Sequence, residues 1–246
     1  MKIIPLIEGA FTVDQSKEFI PFDLSKDKLE ARSKGSLLVE IQPFLIITST
    51  DLILLDTGLG FTGENGKMQI HNNLSALGIN PEDVTKVLIS HLHKDHSGGI
   101  SMPDKQTPSF KNAVYYLNRN EWEHANEKHS LSYHSEDFQS LQKHKKVEFL
   151  KGTGFIGEHI EYIFTNAHSP YHQAFKITEN NSIAFFGGDV APQLMQMKNR
   201  FKAKYDYDPQ KAADLRQQWR QLGESENWKF LFYHDIKYPI YSFRQE

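Results

Sequence analysis

Apolar residues along the chain fall into short runs separated by polar turns, and the spacing within each run separates strand from helix. Lys2 to Ile7 and Gly9 to Val13 read as strands interrupted at Pro5 and Glu8, and Leu37 to Ile41 and Phe44 to Ser49 as two more around Pro43. Leu52 to Leu55 and Val84 to Ile89 are the short, partly β-branched runs of a buried sheet. Between them, Ile70, Leu74 and Leu77 stand at helical spacing and Gly78 supplies a stop. Val114 to Leu117 is a predicted strand leading into a helix over Asn118 to Lys128, with Asn118 or Asn120 as cap and Glu121, Trp122 and Glu123 in the first turn. Val147 to Leu150 and Glu161 to Thr165 return to strand, and Gln173 to Ile177 with Ile183 to Phe186 form a hairpin around Glu179-Asn180-Asn181. Lys202 to Gly223 is charged and helix-friendly: Tyr205-Asp206-Tyr207-Asp208-Pro209 supplies a capping aspartate and a first-turn proline, and Ala213, Leu215, Trp219 and Leu222 form an apolar stripe. Trp228 to Tyr233 is the last strand.

The polar intervals carry less information, with one exception. Pro21 to Gly35 is charged and irregular and reads as a surface loop, with a substrate lid as the alternative. Gly60 to Gly66 is a glycine-rich connector without the Gly-Lys-Ser/Thr of a phosphate cradle. His124, His129, His134 and His144 follow no ligand spacing and read as solvated positions, although Trp122, Tyr133 and His134 could line a pocket. The exception is V-L-I-S-H-L-H-K-D-H-S-G-G, where a buried strand ends in His91, His93, Asp95 and His96 within six residues. Imidazole and carboxylate suit a borderline divalent cation such as zinc, and a loop held by a rigid strand can point alternate side chains at two ions.

H-L-H-K-D-H resembles the H-x-H-x-D-H signature of the metallo-β-lactamase-fold hydrolases. The resemblance covers roughly residues 36 to 236 and implies a four-layer αββα sandwich with a dinuclear site where the loops of two sheets meet. Further motifs follow in the order that family uses. Asp56-Thr57-Gly58 matches a motif whose aspartate sits behind the metals and orients ligand loops, since a ligating imidazole needs its other N–H fixed by an acceptor. Ala167-His168-Ser169-Pro170-Tyr171-His172 matches a motif usually written G-H-T-P-G-H, which implies His168 as a ligand and His172 as a packing or orienting residue; Tyr171 replaces a glycine. Gly187-Gly188-Asp189 matches the motif whose aspartate bridges both metals, and His234-Asp235 the motif whose histidine closes the second site. The implied ligand sets are His91, His93, His168 and Asp189 for one ion, and Asp95, His96, Asp189 and His234 for the other. Asp95 is the implied proton carrier. The cofactors expected are two divalent ions, zinc first, with iron or manganese as alternatives.

Composition bounds the partners. The 246 residues carry a net charge of −3, 39% hydrophobic and 24% charged residues, which suits one domain spanning residues 1–246 and gives no overall basic field for nucleic acid. There is no cysteine, so any metal is held by histidine and carboxylate. Neither a signal-type N-terminus nor an 18-residue apolar window is present, and a cytoplasmic protein acting on a small molecule away from membranes is expected. The implied chemistry is hydrolysis of an ester or lactone-type bond by a water that two cations activate. Phosphodiester or phosphotriester hydrolysis on the same metals is the alternative. His93, where di-iron redox members of the family usually carry Glu, disfavours a redox role, and the full ligand set disfavours a non-catalytic one. Acyl-homoserine-lactone hydrolases of this fold commonly have a tyrosine three residues beyond the bridging aspartate; here that residue is Pro192, which predicts poor lactone turnover unless Tyr133, Tyr171 or another pocket hydroxyl substitutes.

Overall fold

In the computed structural model, which describes residues 1–128 and 130–245, the apolar runs pair into three sheets. The strands are β1 (Lys2–Pro5), β2 (Gly9–Val13), β3 (Ile20–Pro21), β4 (Leu37–Ile41), β5 (Phe44–Ile47) and β6 (Leu52–Leu55). Helix α1 (Gln69–Ala76), β7 (Lys86–Leu88), the single turn α2 (Lys94–Ser97), β8 (Val114–Asn118), α3 (Arg119–Glu127) and β9 (Val147–Leu150) complete the first half. The second half contains β10 (Gly154–Ile156), β11 (Ile160–Phe164), β12 (Gln173–Glu179), β13 (Ser182–Phe186), α4 (Leu194–Lys198), α5 (Pro209–Glu226), β14 (Lys229–Leu231) and β15 (Ile240–Tyr241). One six-stranded sheet has the order β1-β5-β6-β7-β8-β9, a second runs β10 through β15 in sequence order, and β3-β2-β4 form a small third sheet.

The period-2 alternation of the strands creates the layers. Phe44, Ile46, Ile53, Leu55 and Leu88 of the first sheet meet Phe175, Ile177, Ala184, Phe186 and Leu231 of the second in one buried cluster between the sheets. The intervening Leu45, Leu54 and Val87 turn the other way, onto the α1 residues Ile70 and Leu74. On the far side Phe185 and Phe230 face out from the second sheet onto Trp219 and Ala212 of α5. Helix, sheet, sheet, helix is therefore the order of layers, as the αββα expectation has it.

Pairing directions bring the strand ends to one edge. β6, β7 and β8 are parallel, so their carboxyl ends emerge together. β11 and β13 both run antiparallel to β12, and β14 is parallel to β13, so the carboxyl ends of β11, β13 and β14 also share an edge.

Several boundaries differ from expectation for physical reasons. Helix α5 starts at Pro209, where Asp208 accepts from the Lys211 amide at 3.0 Å, and not at Lys202. It runs past Gly223 to Glu226 and ends at Asn227 in the left-handed conformation, φ 56°. Gly223 lies inside because a Cβ there would come 2.3 Å from the Phe230 ring. Leu222 is exposed and lies off the buried stripe, which Ala212, Ala213, Arg216 and Trp219 form instead. Asn118 caps α3 as expected, accepting from the Asn120 and Glu121 amides. The short β3, β10, β15 and α4 have no signature in the sequence, being two to five residues each. His129 lies outside the described residues.

Candidate metal centre

The polypeptide leaves β7 in extended form through Ser90, His91 and Leu92 and then turns helical, with His93 at the cap of α2 (φ −64°, ψ 147°). The loop is thus an extended segment plus one helical turn, not the continuous alternation expected of a strand end. His91 and His93 come from the first part, Asp95 and His96 from the second. His168 follows β11, Asp189 follows β13 and His234 follows β14. All seven expected residues lie at the edge where the strand ends meet, and six are buried. His93 is half-buried.

Their donor atoms converge in groups within 4.8 Å: His91, His93 and His168 in one, Asp95, His96 and His234 in another, with Asp189 joined to His91 and His96 in a third. His91 Nε2 lies 2.9 Å and His168 Nε2 3.2 Å from the same atom, His93 Nδ1. Three ring nitrogens turned on one another are poorly served by hydrogen bonds, because a neutral imidazole has one N–H and most of these have spent it elsewhere. Asp189 spans both groups. Its Oδ1 is 3.1 Å from both His96 Nε2 and His234 Nε2, and its Oδ2 is 3.3 Å from His168 Nε2. Asp95 Oδ2 lies 3.5 Å from His234 Nε2 and 3.6 Å from His96 Nε2. His96 Nε2 and Asp189 Oδ1 are buried without a well-formed hydrogen bond, which suits atoms that bind cations. The donor set therefore fits two divalent ions.

The carboxylates and imidazoles of the cluster shift one another's protonation. Burial alone would depress His96, but the carboxylates of Asp189, Asp95 and Asp56 outweigh it and hold its imidazole well above the usual value. His234 is raised in the same way, against burial, chiefly by Asp189. Burial would raise Asp189, but His234, His96 and His168 hold it well below the carboxylate range. His91 and His93 go the other way: burial first, then neighbouring imidazoles, hold them well below the usual value, as neutral donors.

The remaining nitrogens of His91, His96 and His234 are fixed from behind. Asp56, itself left-handed at φ 57°, accepts from the Ser90 amide and hydroxyl, both at 2.7 Å, and faces His96 Nδ1 at 2.7 Å. Ser90 Oγ lies 3.0 Å from His91 Nδ1. His234 Nδ1 donates to the Glu40 carbonyl at 2.8 Å. His172 is buried and faces Thr165 Oγ1 through Nδ1 at 2.8 Å, so its Nε2 accepts from the Asp189 amide at 3.2 Å. That approach needs Gly188, at φ 49°, where a Cβ would stand 2.6 Å from the same Nε2.

Three supporting residues carried no recognisable signal in the sequence. Asp206 Oδ1 lies 3.0 Å from His168 Nδ1, although the Tyr-Asp-Tyr-Asp-Pro segment pointed only to a helix cap. Glu121, read as a first-turn acid, is fully buried and accepts from the Leu92 amide at 3.0 Å, the Tyr133 hydroxyl at 3.2 Å and Ser169 Oγ at 3.2 Å. One carboxylate thus ties the His91-His93 segment to the His168 segment. Tyr233 donates to the Asp95 carbonyl at 2.6 Å and stacks on the His96 ring at 4.1 Å.

A cavity of about 1070 Å³ opens over the cluster, with His93, Asp95, His168, Asp189 and His234 in its floor. Of the three residues offered as alternative pocket lining, Tyr133 is on its wall, but Trp122 and His134 are not; Trp122 packs into the core against Phe138 and Phe149. His124 lines the cavity, contrary to its reading as a solvated position, and Tyr171 stands behind it with ring centroids 5.7 Å apart. Of the Pro21 to Gly35 segment only Gly35 reaches the wall. Asp14, Gln15, Lys17 and Phe19 of the shorter β2-β3 loop line it instead. Among the described residues no helix is long and apolar enough to cross a membrane.

Comparison with known proteins agrees with this geometry. The family model described as the metallo-beta-lactamase superfamily matches residues 40–234. The N-acyl homoserine lactonase AiiA of Bacillus thuringiensis subsp. kurstaki is 25% identical over 233 residues, which cover 84% of this chain and 86% of that protein. A crystal structure described as a probable metal-dependent hydrolase from Staphylococcus aureus superposes with a TM-score of 0.83 at 21% identity, over 98% of this chain and 92% of that one. AidC, described as a dizinc quorum-quenching lactonase in complex with a product, superposes with a TM-score of 0.74 at 17% identity, over 98% of this chain and 89% of its own.

Proposed function

The chain belongs to the metallo-beta-lactamase superfamily and is a metal-dependent hydrolase, and from its site we propose that it is a dinuclear enzyme cleaving an ester or lactone-type bond in a small molecule. The observation that carries this reading is Asp189, with one carboxylate oxygen toward His96 and His234 and the other toward His168. We assign His91, His93 and His168 to one ion, Asp95, His96 and His234 to the other, and Asp189 to both. Zinc suits this all-nitrogen and oxygen set. When bound, two such cations supply an activated water and polarise a carbonyl oxygen.

The chain's own residues do the rest. Asp56, Asp206 and the Glu40 carbonyl fix ring orientation and tautomer, so that the lone pairs of His96, His168 and His234 would face bound cations. Asp95, on the cavity floor, is the carboxylate placed to carry a proton to the leaving oxygen. Pro192 offers no hydroxyl, and its carbonyl is occupied by the His234 amide at 3.0 Å. The Tyr133 hydroxyl already donates to Glu121 at 3.2 Å. Tyr205 is differently engaged: its hydroxyl accepts from Gln196 Nε2 at 3.3 Å, leaving its own proton for a substrate oxygen, and burial pushes its pKa up to about 12, so it keeps that proton at working pH. Tyr205 is a pocket hydroxyl that can stand in for the tyrosine absent at Pro192.

Zinc-loaded protein assayed on aryl esters, lactones, phosphodiesters and phosphotriesters tests the reading. Turnover of esters or lactones above the phosphate esters is expected; a phosphate ester preferred by tenfold or more in kcat/KM would replace it with the phosphoesterase alternative.

A further inference from the structure

The wall of the cavity bears on what the substrate carries. Lys17, Lys94, Lys128 and Lys204 all line it, and among the described residues no carboxylate lies within 4.0 Å of any of their ammonium groups. Apart from Asp95 and Asp189, which the hydrolase reading commits to the cations, the acid on this wall is Asp14, held by Ser16. Four ammonium groups against one carboxylate surround the opening of a chain whose total charge is −3. A protein with more acids than bases has thus left its cations unpaired over its site.

Two of these lysines are placed rather than merely present. Lys17 is half-buried and sits in the left-handed region at φ 60°, a conformation that costs a long side chain free energy and is found where surrounding structure imposes it. It shares the cavity wall with His93. Lys94 follows His93 directly, and its ammonium is 5.7 Å from the centroid of Phe19, two residues beyond Lys17. Both cations therefore stand on the His93 side. The wall also carries apolar surface, with Leu37, Met195 and Phe201 exposed by 43%, 59% and 46%. Exposed apolar surface beside unpaired cations matches a ligand with both characters.

We propose that the substrate is an anionic amphiphile: an ester or lactone whose apolar chain lies along Leu37, Met195 and Phe201 and whose own carboxylate or phosphate is held by Lys17 and Lys94. The inference rests on the hydrolase reading of the same site. A neutral acyl ester would leave both ammonium groups without a partner, whereas an anionic one would also be steered toward the opening, an effect on the order of 10-fold or more in association rate at low salt.

The test compares three 4-nitrophenyl esters of one acyl chain ending in methyl, carboxylate or phosphate, on zinc-loaded protein at low and high salt. The uncleavable amide analogues are titrated calorimetrically into zinc-loaded and metal-free protein. The expected result is a kcat/KM about tenfold or more higher for an anionic ester than for the neutral one, falling toward unity as salt screens the lysines. In Lys17→Gln/Lys94→Gln the anionic-to-neutral ratio should collapse, however the neutral rate itself moves, with metal content measured alongside; Lys17→Gln alone should lower it if the double variant fails to fold. The carboxylate and phosphate arms decide which anion is preferred. Equal or better turnover of the neutral ester overturns the proposal, and so does a binding preference that disappears in metal-free protein, since the charge would then belong to the cations. If no ester is cleaved the hydrolase reading falls, and calorimetry still decides whether the anionic chain is preferred.

Discussion

His91, His93, Asp95 and His96 leave the end of β7 within six residues, and Asp56 on the adjacent strand end braces both His96 and, through Ser90, His91. His168, Asp189 and His234 arrive singly from three strand ends of the other sheet, each with its own support: Asp206, the His172 ring and the Glu40 carbonyl. The first region is specified by local chain geometry and shares one brace. In the second, position depends on long-range packing and no brace is shared. Perturbing Asp56 should therefore disturb both ions, and perturbing Asp206 chiefly one.

The largest expected effect falls where the two regions meet. Asp189→Asn removes one of the anionic oxygens that link the sets and should lower metal affinity by more than about 100-fold, exceeding what orienting residues cost. Asp235→Asn is the matched control: that buried carboxylate accepts from the amides of Leu194, Lys237 and Tyr238 and touches no ring of the cluster. Equal chelator sensitivity in the two variants would break the bridging assignment.

Next come the braces. Asp56→Asn and Asp206→Asn should each weaken metal binding by roughly 10–100-fold, but with different shapes. A chelator titration of Asp206→Asn should become biphasic, one ion leaving early, while Asp56→Asn loosens both together. Identical monophasic curves would erase the distinction between the regions.

Glu121→Gln probes a buried side chain that joins them, through Leu92 and Ser169. Weakening a buried charged acceptor should cost about 1–3 kcal/mol, read as several degrees in Tm at about 2–4 °C per kcal/mol for a chain of this size. An unchanged Tm would show that the two segments hold their positions independently.

The smallest effect is a pH dependence from the first region. Glu8 packs against the Gly58 turn and accepts from the Leu59 amide at 2.8 Å; burial pushes its pKa up to about 8, opposed by that bond and aided by the charge of Asp95. The folded chain then holds a proton that the unfolded chain releases near the ordinary glutamate value of 4.5. This contribution to stability is fully present below the unfolded value and lost as pH rises through about 8. Glu8→Gln should flatten the decline in Tm of metal-loaded protein between mildly acidic and alkaline pH by a few degrees, and a variant that keeps the full slope would locate the proton elsewhere.

The same contrast explains what the sequence disclosed. His91, His93, Asp95 and His96 were legible because their spacing is local, and the strands were legible because sheet burial alternates residue by residue. His168, Asp189 and His234 were legible only through the resemblance, since nothing about a lone histidine after a strand announces a ligand. Asp206 was not legible at all: it stands 38 residues from His168, in a segment whose composition already satisfies a helix cap. Glu121 and the unpaired lysines were hidden for the same reason, because first-turn acids and surface lysines are ordinary until the fold shows what they face. Gly223 misled in the opposite sense. A glycine near a helix end signals a stop, but here the Phe230 ring requires it within the helix.

The central claim is that one aspartate joins two ligand sets into a dinuclear centre, and metal stoichiometry tests it most directly. Purified chain reconstituted with excess zinc and freed of loose ions by gel filtration should contain close to two zinc ions per chain by elemental analysis, and iron or manganese should compete for the same two places. A value that stays at one under replete conditions would contradict the account.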